Sequence, residues 1–196
     1  PTVLVSSTVG FFFVASFAAL EAGVVGAFGH GGVASGIILA IFSAGSIVGG
    51  LMFGHRDVTP WSMVFRSLIV LAGTALCLIS LNPIWLGVVL FLGGIGVAPM
   101  FAALFTVVSS TVRFSETAEA YGWVGTGQLV GVALGSALTG IAIDSAGGFG
   151  GILVSAFFLV ATVASAAIGA RWMPDLRGKD ASPLPDTAPI TLPHKG

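Results

Sequence analysis

The positions of the basic residues constrain this chain more than any other feature of its sequence. Long apolar segments follow one another, and Lys and Arg lie in or beside alternate gaps between them and after the last one. The other gaps, around Gly29–Gly32, Asn82–Pro83 and Asp144–Gly150, contain neither. Short loops rich in Lys and Arg remain on the cytoplasmic side of a membrane. The pattern predicts six membrane crossings, with both ends of the chain in the cytoplasm. The seven basic residues are Arg56, Arg66, Arg113, Arg171, Arg177, Lys179 and Lys195.

The composition agrees with a membrane protein and leaves little room for anything else. Apolar residues make up 56% of the chain and charged residues 8%, whereas a soluble domain carries about 25% charged residues. The mean hydropathy is +1.06. A chain of 196 residues holds six spans of about 20 residues, short loops and a tail, but no separate soluble catalytic domain. The lone Cys77 excludes an intramolecular disulfide.

Each apolar segment is long enough to cross a bilayer as a helix. Helices are expected because peptide groups in hydrocarbon must form their hydrogen bonds within the segment. We therefore predict an all-α membrane protein with one transmembrane domain over residues 1–173. Its predicted spans are 3–28, 33–53, 61–81, 84–108, 118–143 and 151–172. The proline-rich residues 174–196 are predicted to form a disordered cytoplasmic tail.

Two apolar segments carry glycines at the same spacing, at an offset of 86 residues. One set is Gly45, Gly49 and Gly54, and the other is Gly131, Gly135 and Gly140. The match favours two copies of a three-helix unit, which would cross the membrane in opposite orientations because three is odd. The alternative is coincidence in a chain that contains 29 glycines.

Small residues and one proline are candidates for helix packing or gating. Glycines four residues apart let helices approach closely, and the chain has such pairs at Gly45–Gly49 and along Gly127, Gly131 and Gly135. Pro99 lies inside the fourth predicted span, where a proline removes a backbone hydrogen bond and bends the helix. The bend is either a flexible gate or a fixed shape that fits its neighbours.

Glu21 is the sharpest functional signal, because it is the acidic residue deep inside an apolar segment. A carboxylate in hydrocarbon is costly and usually marks a path for protons, ions or substrate. However, Glu21 lies about 27 Å along its helix, at about 1.5 Å per residue, which places it toward the outer surface. A structural hydrogen bond to a neighbouring helix is therefore the alternative.

Further along the chain, Gln128, Tyr121 and Trp123 are candidates to line a cavity for an amphipathic solute. The alternative is that Tyr121 and Trp123 belong to the aromatic belt at the membrane surface. Arg56 and Arg113 are assigned to cytoplasmic loops. The sequence has no phosphate-binding glycine loop, no His pair at metal spacing and no basic patch suited to nucleic acid. We therefore predict no enzyme activity, no cofactor, no metal site and no nucleic-acid partner.

Several motifs resemble those in the C-terminal half of a major facilitator superfamily transporter. Within that family they are similar to bacterial efflux permeases. The resemblance covers about residues 3–172 and rests on Ala18–Ala22, Phe42–Leu51, Gly54–Arg56, Val97–Leu104 and Gly131–Gly140. In one respect the chain departs from the family. Gly54 and His55 stand near the place where a cytoplasmic loop motif usually carries an Asp-Arg pair, so the latch formed by that motif is degenerate here.

The resemblance implies transport of a small solute by alternating access, with proton-coupled efflux as the expected mode. Family members normally have twelve helices, so the expected partner is an N-terminal half or a second copy of this chain. The expected location is the bacterial plasma membrane. The alternative is a non-transporting membrane scaffold or a degenerate half-transporter. A chain that begins at Pro1 is interpreted as a fragment of a longer protein.

Overall fold

A computed structural model of the protein describes residues 1–29, 32–179 and 181–186. Over these residues the fold is all-helical. Two short 3-10 turns, Phe114–Glu116 and Ala170–Trp172, flank the last helix. The helices are α1 (Thr2–Phe28), α2 (Val33–Phe53), α3 (Ser62–Cys77), α4 (Pro83–Gly94), α5 (Val97–Thr111) and α6 (Thr117–Gly169).

Within the described residues, four helical segments are long and apolar enough to cross a membrane. They are Thr2–Phe28, Val33–Phe53, Pro83–Thr111 and Phe114–Trp172, the last of which has 59 residues. The helix Ser62–Cys77 is apolar but shorter. It ends four residues before residue 81, the predicted end of the third span. The α-helical pattern gives way there to 3-10-type hydrogen bonds, in which the Leu78 and Ile79 amides donate to carbonyls three residues earlier. Asn82 then caps the next helix by accepting from the Ile84 amide.

The predicted fourth span, 84–108, is divided into α4 and α5. The interruption lies at Ile95 and Gly96, one turn before Pro99 rather than at it. Proline has no N–H and clashes with the carbonyl four residues earlier, which is that of Ile95. The nearby glycines lower the helix propensity further. Pro99 is the third residue of α5, where the missing donor costs little.

Residues of the predicted fifth and sixth spans, 118–143 and 151–172, lie in α6. The predicted connecting loop is reduced to one non-helical residue, Gly147, with φ 60° and ψ −153°. That backbone conformation favours glycine. Before Gly147 the helix runs parallel to α1, and after it the helix runs antiparallel. The contacts that establish this are Gly131 with Phe11, Gly135 with Ala15, Gly148 with Ala27, Gly151 with Gly23, and Ser155 with the Ser16 carbonyl.

The described part of the chain after the last helix makes backbone hydrogen bonds to two loops of the bundle, and the disordered tail over residues 174–196 stays a prediction. The Leu176 amide donates to the Val58 carbonyl at 3.0 Å. The Leu184 amide donates to Val112 at 2.9 Å and its carbonyl accepts from Phe114 at 2.9 Å. Leu176 is buried, whereas Leu184 is 50% exposed. Residues 187–196 of the predicted tail lie outside the described residues.

The tail contacts gather the loops around residues 54–61 and 112–117 at one end of the bundle. The start of α1 lies there too, since the Thr2 hydroxyl donates to the Trp172 carbonyl at 3.2 Å. We call this the basic end. The reversal at Gly147 lies at the opposite end, beside Ala27. The basic residues described at or near the basic end are Arg56, Arg66, Arg113, Arg171, Arg177 and Lys179.

Candidate functional site

Glu21 is an exposed residue of α1 at a cavity of about 320 Å³ between α1, α2 and the start of α5. Most of the lining is apolar, and α2 adds two hydroxyl groups. The Ser43 hydroxyl donates to the Leu39 carbonyl at 3.0 Å. The lining residues are Phe17, Glu21, Leu39, Phe42, Ser43, Ser46, Ile47 and Val97. We call this the Glu21 cavity.

The Glu21 cavity is deeper in the bundle than the position of Glu21 along α1 indicates. Glu21 is seven residues from the end of α1, yet it shares the cavity with Ser43 from the middle of α2 and Val97 from the α4–α5 interruption. Distance along one helix does not give depth in the bundle when helices differ in length and stagger. The neighbours of Glu21 therefore come from the centre of the neighbouring helices.

Glu21 has no cationic partner in the part of the chain that the structure describes. The ion pair found there joins Arg177 to Asp175, at 2.6 Å, at the basic end. An ionised carboxylate inside a bilayer costs several kcal/mol unless it is paired or hydrated. Glu21 must therefore bind a proton, face water or meet a cationic group that this chain does not supply from its described residues.

A row of aromatic rings runs from the Glu21 cavity toward the basic end. The ring centroids are 5.5 Å apart for Phe42 and Phe17, 6.3 Å for Phe17 and Phe101, 6.2 Å for Phe101 and Phe105, and 5.7 Å for Phe105 and Tyr121. Aromatic pairs at 4.5–7 Å attract one another. We call these five residues the aromatic row. The Tyr121 hydroxyl donates to the Phe105 carbonyl at 3.4 Å.

Gln128 lies away from the Glu21 cavity, between α1 and the first part of α6. Its side chain packs against Gly10 of α1. Its amide nitrogen is buried without a hydrogen-bond partner, as are the hydroxyls of Ser6 and Ser7. A buried donor left unpaired costs about 1–3 kcal/mol. The contact between α1 and α6 therefore contains polar groups whose hydrogen bonds are not made in this arrangement.

Trp123 is not brought together with Gln128. It is 63% exposed, and its indole N–H donates to the Glu119 carboxylate at 3.3 Å. It lines a separate shallow cavity at the basic end with Val3 and Val112. Of the four predicted pathway residues, Glu21 and Tyr121 are connected through the aromatic row, whereas Gln128 and Trp123 lie elsewhere.

The glycine pairs lie where helices touch. A methyl group on Gly45 or Gly49 would overlap the carbonyl oxygen of Phe91 or Ile95, respectively. On α6, methyl groups on Gly131 and Gly135 would overlap the carbonyls of Phe11 and Ala15, and one on Gly127 would lie 3.3 Å from that of Ser7. The third members of the two matching sets behave differently. Gly140 has no neighbour within 4 Å, and Gly54 approaches only the carbonyl of Gly50 in its own helix.

The two predicted loop arginines have different surroundings. The Arg56 guanidinium lies 4.7 Å from the centre of the Phe53 ring. Arg113 is exposed, and its amide donates to the Glu116 carboxylate at 3.4 Å. Nearby, the Ser115 amide and hydroxyl donate to Asp186 at 3.0 Å and 2.8 Å and lower the pKa of that carboxyl. At Asp175, hydrogen bonds from Arg177 lower the pKa to about 2.

The four phenylalanines of the aromatic row and the serines of the Glu21 cavity were not among the predicted site residues, whereas Tyr121 was. A signal for part of them was present, since Phe13 and Phe17, and Phe101 and Phe105, are spaced four residues apart and so share a helix face. The alignment of the aromatic row across four helices is a property of the packed bundle. Spacing within one helix does not reveal it.

Comparison with known proteins agrees with this arrangement. The sequence model of a family described as Major Facilitator Superfamily matches residues 2–193, and no curated protein matches the chain. The match and the apolar helices indicate an integral membrane protein that moves a small-molecule solute across a lipid bilayer. Transporters of this kind are generally not enzymes. The chain belongs to the Major Facilitator Superfamily.

Proposed function

We propose that the chain acts in proton-coupled efflux of a small solute by alternating access, as the C-terminal half of a secondary transporter. The observation that carries the proposal is the carboxylate of Glu21, which shares a largely apolar cavity with residues from the centres of other helices and has no cationic partner among the described residues. A carboxylate in such surroundings is suited to binding and releasing a proton. The aromatic row offers a surface for an amphipathic solute beside it.

The proposed topology has six crossings within residues 1–173, with both ends of the chain in the cytoplasm of a bacterium. The reversal of α6 at Gly147 supports it, because the helix is long enough to cross twice and contacts α1 in both directions. The clustering of six basic residues at or near the basic end supports the orientation. Arg56 and Arg113 are then cytoplasmic loop residues.

We further propose that the bundle contains two inverted three-helix units. The first two glycines of each matching set, Gly45 and Gly49 on α2 and Gly131 and Gly135 on α6, make equivalent contacts. Those on α2 meet two residues four apart on the segment 83–111, and those on α6 meet two residues four apart on α1. Under a two-unit arrangement, α1 and that segment are equivalent helices. The two contacts would then be related by the pseudo-symmetry axis.

The proposed moving parts are the interruption before Pro99 and the glycine contacts along Gly45, Gly49, Gly127, Gly131 and Gly135. A helix interrupted at Ile95 adjusts there at little cost, and side chains do not interlock where backbone meets backbone. The unpaired amide of Gln128 supports a second arrangement in which it finds an acceptor.

The proposed partner is the N-terminal half of the transporter or a second copy of this chain. Helix α2 and the first part of α6 each pack along one glycine stripe and expose large apolar side chains on the remaining surface. Examples are Ile47, Leu51, Leu129, Leu134 and Leu138, all at least 45% exposed. This surface is wide enough to meet another six-helix half as well as lipid.

The test measures transport and proton movement separately in proteoliposomes that contain the full protein. A labelled monosaccharide and a fluorescent lipophilic cation represent two classes of solute, and a pH-sensitive dye inside the vesicles reports protons. We expect Glu21→Gln to abolish proton movement while exchange of labelled for unlabelled solute continues. Asp144→Asn is the matched control, because Asp144 is an exposed acid that does not line the Glu21 cavity.

Two outcomes would reject the proposal. Unchanged proton movement in Glu21→Gln would remove the residue from the coupling path. Absence of flux for either solute, with the chain alone or joined to its N-terminal half, would favour a non-transporting scaffold or degenerate half-transporter.

A further inference from the structure

A second cavity, of about 210 Å³, lies near the basic end between α2, α3 and the interruption before α5. Two arginines line it together with apolar and aromatic side chains, among them Phe53, Phe65 and Pro99. Its volume is below the range of about 300–1,000 Å³ typical of small-molecule sites. The cavity therefore suits a small charged group rather than a whole transported solute.

The two arginines of this cavity have no acidic partner within 4.0 Å among the residues that the structure describes. Arg66 is half-buried in the first turns of α3, and its Nη1 donates to the Pro99 carbonyl at 2.6 Å. Arg56 approaches from the end of α2, over the Phe53 ring. Asp57, next to Arg56 in sequence, does not pair with it. Two cations thus line a small cavity that contains no carboxylate.

We propose that this cavity binds the phosphate group of an anionic phospholipid. Guanidinium groups match phosphate oxygens in charge and in geometry. Donors remain available here, because the hydrogen bond to the Pro99 carbonyl engages a single N–H of Arg66. Basic pockets between helices at the cytoplasmic surface are suited to anionic headgroups. The aromatic and aliphatic lining would contact the glycerol and the first methylene groups of the lipid.

The proposed lipid site is separate from the transport function. It depends only on the proposed orientation, in which the basic end lies at the cytoplasmic surface. Its position gives it a mechanical consequence. Arg66 binds the Pro99 carbonyl just after the α4–α5 interruption, and the Arg66 backbone carbonyl lies against Gly96. A phosphate held by Arg66 would therefore hold α3 and the start of α5 together.

The experiment measures lipid binding to the full protein by native mass spectrometry and by the shift of Tm in detergent. The probes are phosphatidylglycerol, phosphatidylcholine and inorganic phosphate. We expect phosphatidylglycerol to be retained and to raise Tm, with little effect of phosphatidylcholine. An equal rise with inorganic phosphate in the absence of lipid would overturn the assignment to a lipid. The measurement involves no transport, so its failure is distinguishable from failure of the proposed function.

Three variants locate the binding. Arg56 is exposed, so Arg56→Gln should fold normally and weaken phosphatidylglycerol binding about fivefold. Arg66→Lys keeps the charge but loses the planar fork, and we expect a smaller loss. The control is Arg171→Gln, because Arg171 lies at the same end, stacks on Trp172 at 3.9 Å and does not line the cavity. Unchanged affinity in Arg56→Gln, or an equal loss in Arg171→Gln, would overturn the proposal.

Discussion

Two helix–helix contacts in this bundle use the same glycine spacing. The partner helix is interrupted in one contact and continuous in the other. In the first seam, α2 packs on the segment 83–111, which is interrupted at Ile95. In the second seam, the first part of α6 packs on α1, which continues without a break past its contact residues. The first seam consists of Gly45 and Gly49 with Phe91 and Ile95, and the second of Gly131 and Gly135 with Phe11 and Ala15.

The difference indicates which part of the molecule can deform. Both seams bring a glycine against a carbonyl oxygen, so neither has a flexible side chain that could move aside. In the second seam the carbonyls belong to a hydrogen-bonded helix. In the first, Ile95 belongs to the turn between α4 and α5, next to Val97 of the Glu21 cavity. The deformable contact is therefore the one that adjoins the candidate site.

The largest expected effect comes from placing a large side chain in the second seam, where α6 packs on the uninterrupted helix α1. We expect Gly135→Leu to lower the free energy of unfolding by about 3 kcal/mol or more, because overpacking against backbone leaves no rotamer without a clash. Equilibrium unfolding in mixed micelles measures it. Gly140→Leu is the control, since Gly140 has no neighbour within 4 Å, and it should change stability little. A similar loss of unfolding free energy in both variants would show that the cost does not come from the close contact between Gly135 and α1.

A smaller substitution compares the two seams directly. Gly135→Ala and Gly49→Ala each place one methyl group against a carbonyl. We expect the cost at Gly135 to exceed that at Gly49 by about 1 kcal/mol, because Ile95 can yield and the α1 backbone cannot. The same unfolding measurement decides. Equal costs would mean that the interruption does not soften the first seam.

Restoring a donor at the interruption tests function rather than stability. Pro99→Ala supplies an N–H one turn after Ile95, but Pro99 lies in the first turn of α5. We therefore expect stability to change by less than about 1 kcal/mol. Exchange of labelled solute in proteoliposomes should slow severalfold if the interruption flexes during transport. An unchanged exchange rate would make the bend a fixed feature.

The smallest expected effect concerns the tail, which ties the loop after α2 to the loop after α5. The pKa of Asp186 is lowered by hydrogen bonds from Ser115. The contact is therefore fully stabilising above the ordinary pKa of about 3.9 and is lost as the pH falls through the lower folded value. Near neutral pH, Asp186→Ala should speed hydrogen exchange at the Ser115 amide. As the pH falls through the lowered pKa of Asp186, the variant and the parent should converge, and a difference that persists once this carboxyl is protonated would contradict the assignment.

The sequence predicts the parts of this fold that depend on local signals. Helices α1 and α2 end within a residue of the predicted bounds, because glycine turns follow them. A bend was predicted from Pro99, and the interruption lies one turn before it, at Ile95. The single-residue reversal at Gly147 was not predicted in place, since it depends on what the backbone packs against. The same holds for the docking of Leu176 and Leu184. At the candidate site, Glu21 stands out in the sequence as a charged residue inside an apolar segment. The aromatic row beside its cavity appears only when four helices are assembled.

The proposed topology requires equivalent helices of the two units to cross the membrane in opposite directions. Helix α2 then ends in the cytoplasm, and the first part of α6 ends outside the cell. Single cysteines at His55 and Ser145, both exposed, test it in a Cys77→Ala background. An impermeant maleimide added to intact cells should label Ser145→Cys at once and His55→Cys only after permeabilisation. Labelling of both positions from the same side would contradict the six-crossing arrangement and the inverted units together.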